Sequence, residues 1–311
     1  MKEKFQIKIE PLRWLAIALF IWSIIFLLSF IASKIENTGL YVFSIWLFSL
    51  VVGVAQHHLA FLGHDGSHGL VTKNKQTNQL LTNLFVCVPL LVHLGNYKKF
   101  HDDHHIYVGS KDDTELPLKE FTREKYVSPQ KTSALLLNCV KDLFMGGILE
   151  IKFFIVFMTK GKVFEAFGSA AIWWLVVGSF LYLSGILVEF LLIWYIGLFT
   201  MFWASFRLRI YFEHYGLDML SENKDDRVTH RIEFAKGLGW FRLLAMYWGQ
   251  FHWEHHHNPG VPIYQLAEYR SFLIKQKIGP EIIEITNPIK FLDTINEEGS
   301  AENTLKQISI G

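Results

Sequence analysis

"WLAIALFIWSIIFLLSFIAS", residues 14–33, is an almost unbroken apolar run closed by Lys34. Its roughly 20 residues, at about 1.5 Å of rise each, reach across a hydrocarbon core of about 30 Å. The run is too long for a signal-peptide core and reads as a transmembrane helix. Three more segments have the same character: 41–60, 168–183 and 186–206. A polar turn near 36–38 joins the first two, and Ser184 and Gly185 join the last two, so the spans form two hairpins. Two other oily stretches are weaker: 80–94 is short, contains Pro89 and suits a re-entrant or interfacial element, and 148–158 is shorter still.

Composition agrees with membrane residence. Of 311 residues, 51% are hydrophobic and only 19% charged, too apolar for an ordinary soluble domain. A net charge of +1 lacks the basic excess of a nucleic-acid surface. Cys87 and Cys139 sit among apolar residues without metal-type spacing and read as packing residues. The hairpin loops carry one lysine, Lys34, with the remaining basic residues outside them. By the positive-inside rule both termini and the large polar segments are cytoplasmic. The chain is expected to be one domain over 1–311, with a loose, solvated tail from Glu297.

Fourteen histidines are the outlier, and most are clustered. His64 and His68 ("HDGSH") lie four residues apart at the cytoplasmic end of the second span and share a helix face. His101, His104 and His105 ("HDDHH") follow the 80–94 stretch, and His252, His255 and His256 ("HWEHH") follow the fourth span. Each cluster taken singly is also compatible with a solvated or capped helix. Three clusters delivered to one membrane face point instead to a two-metal centre, since eight imidazoles exceed the needs of one tetrahedral zinc. The expected architecture is all-α and membrane-integral, with four transmembrane helices in two hairpins and a cytoplasmic helical cap carrying the di-metal site.

"GHDGSHG", "HDDHH" and "HWEHHHNPGVPIYQL" resemble the three histidine boxes of the integral-membrane fatty acid desaturase superfamily. The resemblance runs from Tyr41 to about Leu266. It implies two irons, O2 and two electrons used to attack an unactivated C–H bond, and a double bond introduced into a fatty acyl chain. Lipid or carotenoid hydroxylation or ketolation is the alternative within the superfamily. A histidine-rich metal carrier or transporter is a distant third, because transport ligands are expected along a path near mid-membrane. There is no HPGG segment for a fused haem domain, and box three opens on His252 rather than glutamine. An external donor of ferredoxin, rubredoxin or cytochrome b5 type is implied.

Imidazole suits this chemistry because it resists oxidation where thiolate does not, and neutral nitrogen suits iron. No catalytic residue is expected beyond the metal ligands. Asp65, Asp102, Asp103 and Glu254 stand between the histidines and are placed to receive the second imidazole N–H. His57, two turns before His64 and about 10 Å deeper, is expected to line the substrate cavity or to bond across helices, and His58, about 100° round the helix, to tolerate change better. His214, eight residues past the fourth span, is expected as a ninth ligand, with Glu213 turned elsewhere toward Arg209. Its rival, His230, falls in "KDDRVTHR", which reads as an exposed loop. Glu189, near the outer end of the fourth span, is expected to anchor at the interface. Lys98, Lys99 and the 227–231 region are candidates for an anionic headgroup or a donor protein.

Overall fold

The structure is a computed structural model that describes residues 4–108, 112–114, 131–148, 163–214, 229–246 and 248–295. Helix α1, Pro11–Ala32, opens with proline in its first turn, where the missing N–H costs nothing. Its buried residues, Trp14, Ala18, Ile21, Trp22, Ile25, Ser29 and Ala32, fall at helical spacing on one face, while Leu12 and Phe20 point outward. Helix α2, Thr38–Ser67, is capped by Asn37, whose side chain accepts the Leu40 N–H at 3.0 Å. Its 30 residues amount to about 45 Å. That exceeds a hydrocarbon core, so the last turns, which carry His64 and His68, extend past it.

Short helix α3, Lys75–Thr82, runs into a π-helical turn, Asn83–Cys87. The Phe85 carbonyl accepts the Trp22 indole N–H at 2.9 Å, which fixes the 80–94 stretch against α1. Helix α4, Leu94–Tyr107, follows and carries the second histidine cluster. Helix α5, Thr132–Lys141, continues as a π-helical turn through Gly146. Helix α6, Val163–Leu183, leads to α7, Leu187–Phe199, and α8, Met201–Glu213.

By length and composition three helices can cross a membrane: Pro11–Ala32, Thr38–Ser67 and Leu187–Glu213, joined by a shorter apolar helix, Phe167–Leu183. The run expected as one helix over 186–206 breaks at Thr200, whose backbone angles (φ −125°, ψ −92°) are not helical, and then continues to Glu213. Near the other end of α7 the Tyr41 hydroxyl donates to Glu189 at 3.4 Å.

The α2–α7 contact depends on glycine. A Cβ on Gly53 would stand 2.8 Å from the Gly197 carbonyl oxygen and 2.7 Å from the Met201 Cβ, and one on Gly197 would stand 2.6 Å from the Ser49 carbonyl oxygen. These distances are below any van der Waals contact, so the two backbones touch directly.

The expectation of an all-helical chain is corrected by one small feature. Strand β1, Ile232–Phe234, pairs in parallel with β2, Ile283–Ile285, with Ile232 opposite Ile283. Ile232, Phe234, Ile283 and Ile285 are β-branched or aromatic and pack well on a pleated surface. They close a second core around Phe212, Phe234, Phe241 and Phe291. Between them lie α9, His252–His257, and α10, Leu266–Lys275. The stretch 149–158, Arg227 and the tail from Glu297, all considered above, lie outside the described residues.

Candidate metal centre

Nine histidine side chains converge where α2, α4, α8 and α9 meet. They fall into two groups, His64, His68, His101, His105 and His255, and His104, His214, His252 and His256; within each group one nitrogen per ring lies within 4.8 Å of all the others. The partition follows helix periodicity. Residues four apart share a face, so His101 and His105 go to the first group and His252 and His256 to the second, while His104 and His255 turn to the opposite group in each case. His105 and His256 rings, one from each group, lie 4.5 Å apart between centroids.

Nitrogens meet at hydrogen-bond distance: His101 with His105 at 2.9 Å, His105 with His255 at 2.9 Å, His214 with His252 at 3.0 Å and His252 with His256 at 3.1 Å, all between Nε2 atoms. Burial, and then the neighbouring imidazoles, holds His101, His252, His255 and His256 well below the usual histidine pKa. His68 falls to about 4, again first through burial. The rings are therefore neutral, with one lone pair and one N–H each. His105 and His252 each have two such Nε2 contacts, and one N–H cannot satisfy two acceptors linearly. His64 Nδ1 and His68 Nε2 are buried without a hydrogen bond among the described residues. Convergent lone pairs of this kind fit a cation. An all-nitrogen donor set with five and four members suits a borderline first-row metal that keeps positions open.

Carboxylates meet the rings, but not those expected from the intervening positions. His104 Nδ1–H donates to Asp113 at 2.8 Å, both side chains fully buried, which turns Nε2 toward the second group. Asp113, nine residues on and outside the helix, has no sequence signal that marks it. Glu213 lies 3.7 Å from His252 Nδ1 and also pairs with Arg209 at 3.3 Å, so the Arg209 pairing expected of it is present and it faces the centre as well. Asp102 and Asp103 instead pair along α4 with Lys98 and Lys99, each at 2.8 Å. Asp65 accepts the Ile263 backbone N–H. Glu254 is bound by Arg231 at 2.7 Å and by Arg270 at 2.7 Å. The physical reason is angular: a residue next to a histidine is turned about 100° from it on a helix and leaves the shared face. Arg231, bracketed with the surface cations above, is buried, paired with Glu254 and stacked over Trp253 at 4.6 Å.

His57 is fully buried, edge-on to Phe61, Phe202 and Phe206 at 5.2, 6.0 and 6.3 Å. Neither ring nitrogen has a hydrogen bond among the described residues, so the cross-helix bond considered for it is not made. His58 is the one tied down, through Nε2 to the Leu243 carbonyl at 3.0 Å. His230 belongs to neither histidine group. Its ring packs on Phe291 at 5.5 Å and its backbone N–H donates to the Glu213 carbonyl, so it is not in an exposed loop.

Comparison with known proteins agrees with this arrangement. Dihydrorhizobitoxine desaturase of Bradyrhizobium elkanii is 26% identical over 237 residues, covering 71% of this chain and 66% of that relative's own length. The family model described as fatty acid desaturase matches residues 40–280, a span that takes in every one of the nine clustered histidines and the "PGVPIYQL" segment that follows them. On that match the chain belongs to the fatty acid desaturase family.

Proposed function

We propose that the protein is a membrane-embedded, O2-dependent desaturase whose two histidine groups each hold one iron. The observation that carries this reading is the convergence of nine imidazoles, without a thiolate, into adjacent groups of five and four. Two irons bound there would supply the oxidation of an unactivated methylene pair. Overall, two C–H bonds break and one C=C bond forms, while the two hydrogens removed from the chain, O2, two electrons and two protons leave as two water molecules. The electrons come from an external donor of ferredoxin, rubredoxin or cytochrome b5 type. The substrate is a fatty acyl chain.

The chain's own residues do the holding. Burial keeps the imidazoles neutral and available as ligands, Asp113 sets the tautomer of His104, and Glu213, backed by Arg209, faces His252. In this reading α1 and α2 form one membrane hairpin and α6 with α7–α8 the other, and the histidines occupy the cytoplasmic side, where the extended ends of α2 and α8 deliver them. The relative's name, a desaturase, favours C=C formation over hydroxylation or ketolation.

Expression in a host that supplies the donor, with lipid profiling and metal analysis of anaerobically purified protein, tests the reading. About two irons per chain and new double bonds are the expected result. New hydroxyl or keto groups would move the protein to the alternative chemistry, and a single zinc without iron-dependent turnover would overturn the di-iron reading.

A further inference from the structure

A cavity of about 470 Å³ opens beside the first histidine group, between the end of α2, helix α3 and the start of α4. His68, one of the five clustered histidines, forms part of its wall. The volume is that of a small-molecule site, yet the lining is not what an alkyl chain would select. Among the described residues Leu94 is its one apolar side chain, and the rest is glycine or polar, including Lys75, Lys98, Asn78, Asn83 and His93. Among the described residues no carboxylate lines it. Lys98 pairs with Asp102 on its outer side, whereas Lys75 makes no ion pair among the described residues. Leu94 and Gly95, the first residues of 14-residue α4, also lie in the wall. Their N–H groups precede the helix's internal hydrogen bonding, and they add the positive end of its dipole to the lysines.

We propose that this cavity seats the anionic end of the substrate, a carboxylate or a phosphate, against His68, with Lys75 and Lys98 as its charge partners and the amides of Asn78 and Asn83 available as donors. The assignment of that anion to the substrate rests on the reading of the histidines as the oxidising centre. Long, flexible lysines suit a point-charge grip on either anion. A lipid phosphate, a carrier phosphate and a free carboxylic acid share this chemistry.

Binding is measured without turnover, by ligand-observed NMR on the full-length, metal-loaded protein in zwitterionic nanodiscs. The probes are butanoate, butanamide of the same length, and inorganic phosphate. Butanoate or phosphate is expected to bind in preference to butanamide. Lys75→Met and Lys98→Met should each weaken that anion binding about tenfold, the scale of one charged hydrogen bond. Lys75→Arg should restore most of it, and Lys34→Met, in the α1–α2 loop, should leave it unchanged. Unaltered metal content and elution volume show that each variant is folded. Displacement of butanoate by phosphate marks a general anion seat, and failure to displace it marks a carboxylate seat; both support the proposal. Equal binding of butanoate and butanamide, or an anion preference that survives in both methionine variants, overturns it. Absence of iron would sink the desaturase reading and leave the binding result intact.

Discussion

Both carboxylate oxygens of Asp65 lie 3.2 Å from the backbone nitrogen of Ile263, a contact that spans 198 residues of sequence and is fully buried. It ties the turn between His64 and His68 to the segment just after the third histidine cluster. That segment is itself held by the N-terminal arm, where Lys8 N–H donates to Gln265 and Glu10 N–H to the Tyr264 hydroxyl. Asp65 thus sets the distance between two histidine-bearing elements without touching a ring. Asp65→Ala leaves a buried N–H unpaired, at a cost of about 1–3 kcal/mol, and is expected to lower the thermal midpoint and the metal content together. Asp65→Asn keeps one oxygen acceptor and should recover most of both. An Asp65→Ala protein as stable and as metal-rich as the parent would remove this role.

Asp113 acts on a ring directly. Removing the charge while keeping the shape, as in Asp113→Asn, weakens the grip on His104 Nδ1–H and frees the ring to adopt the other tautomer. Loss of such a partner typically costs about 10- to 100-fold in metal affinity. Competition with a chelator should show that loss, with one of two metals released first. Release of both metals at the parental chelator concentration would contradict it.

The contrast between these two aspartates explains what was legible in the sequence. Spacings of three and four encode a helix face, so the clusters "HDGSH", "HDDHH" and "HWEHH" could be read from local periodicity, and the apolar runs from continuous hydropathy. The carboxylates that meet the rings come from far along the sequence, as Glu213 meets His252, or from outside any helix, as Asp113 meets His104. Asp102, adjacent to His101, turns to Lys98 on the same helix, whereas Asp113 reaches His104 from beyond the end of α4. Likewise the break at Thr200 interrupts a run whose hydropathy is continuous on both sides, and the pairing of Ile232 with Ile283 joins strands too short to leave a pattern.

The cysteines give a pH prediction. Burial pushes both the Cys87 and the Cys139 thiol up from 9.0 to about 12. Above pH 9 the unfolded chain loses these protons and the folded chain keeps them, so stability falls as pH rises from about 9 toward 12. Below pH 9 both states hold the protons and neither thiol contributes a slope. Iodoacetamide should leave both thiols unmodified in folded protein at pH 8 and label both after denaturation. Rapid labelling of Cys87 in the folded protein would contradict its burial against α2.

Helix contact through glycine predicts a sharper loss. A methyl on Gly53 meets backbone atoms of α7 and α8 at 2.8 Å, and backbone cannot rotate aside as a side chain can. Gly53→Ala should cost about 1–3 kcal/mol, the range for overpacking, and displace the end of α2 that carries His64. Reduced thermal stability with reduced metal content is the expected pair of readings. A Gly53→Ala protein with both unchanged would show that the two helices separate freely.

His214 and His230 bracket the part of the chain between α8 and the third cluster, and the structure separates them. His214 caps α8 with its ring nitrogen 3.0 Å from His252 and its centroid 5.5 Å from His104. His230 faces Phe291 in the second core. Deleting the first ring cuts the second group from four imidazoles to three, His104, His252 and His256, and would weaken its hold on a metal. His214→Ala is therefore expected to lose the metal of the second group and turnover, while retaining the metal of the first. His230→Ala loses the aromatic contact with Phe291, worth about 0.5–1.5 kcal/mol, and should keep both metals at a lower thermal midpoint. Metal analysis and turnover on the two proteins, matched for folded fraction, decide between them. Full metal occupancy with normal turnover in His214→Ala would remove it from the ligand set. Loss of both readings in His230→Ala as well would mean that the second core, and not the ring at 214, governs the site.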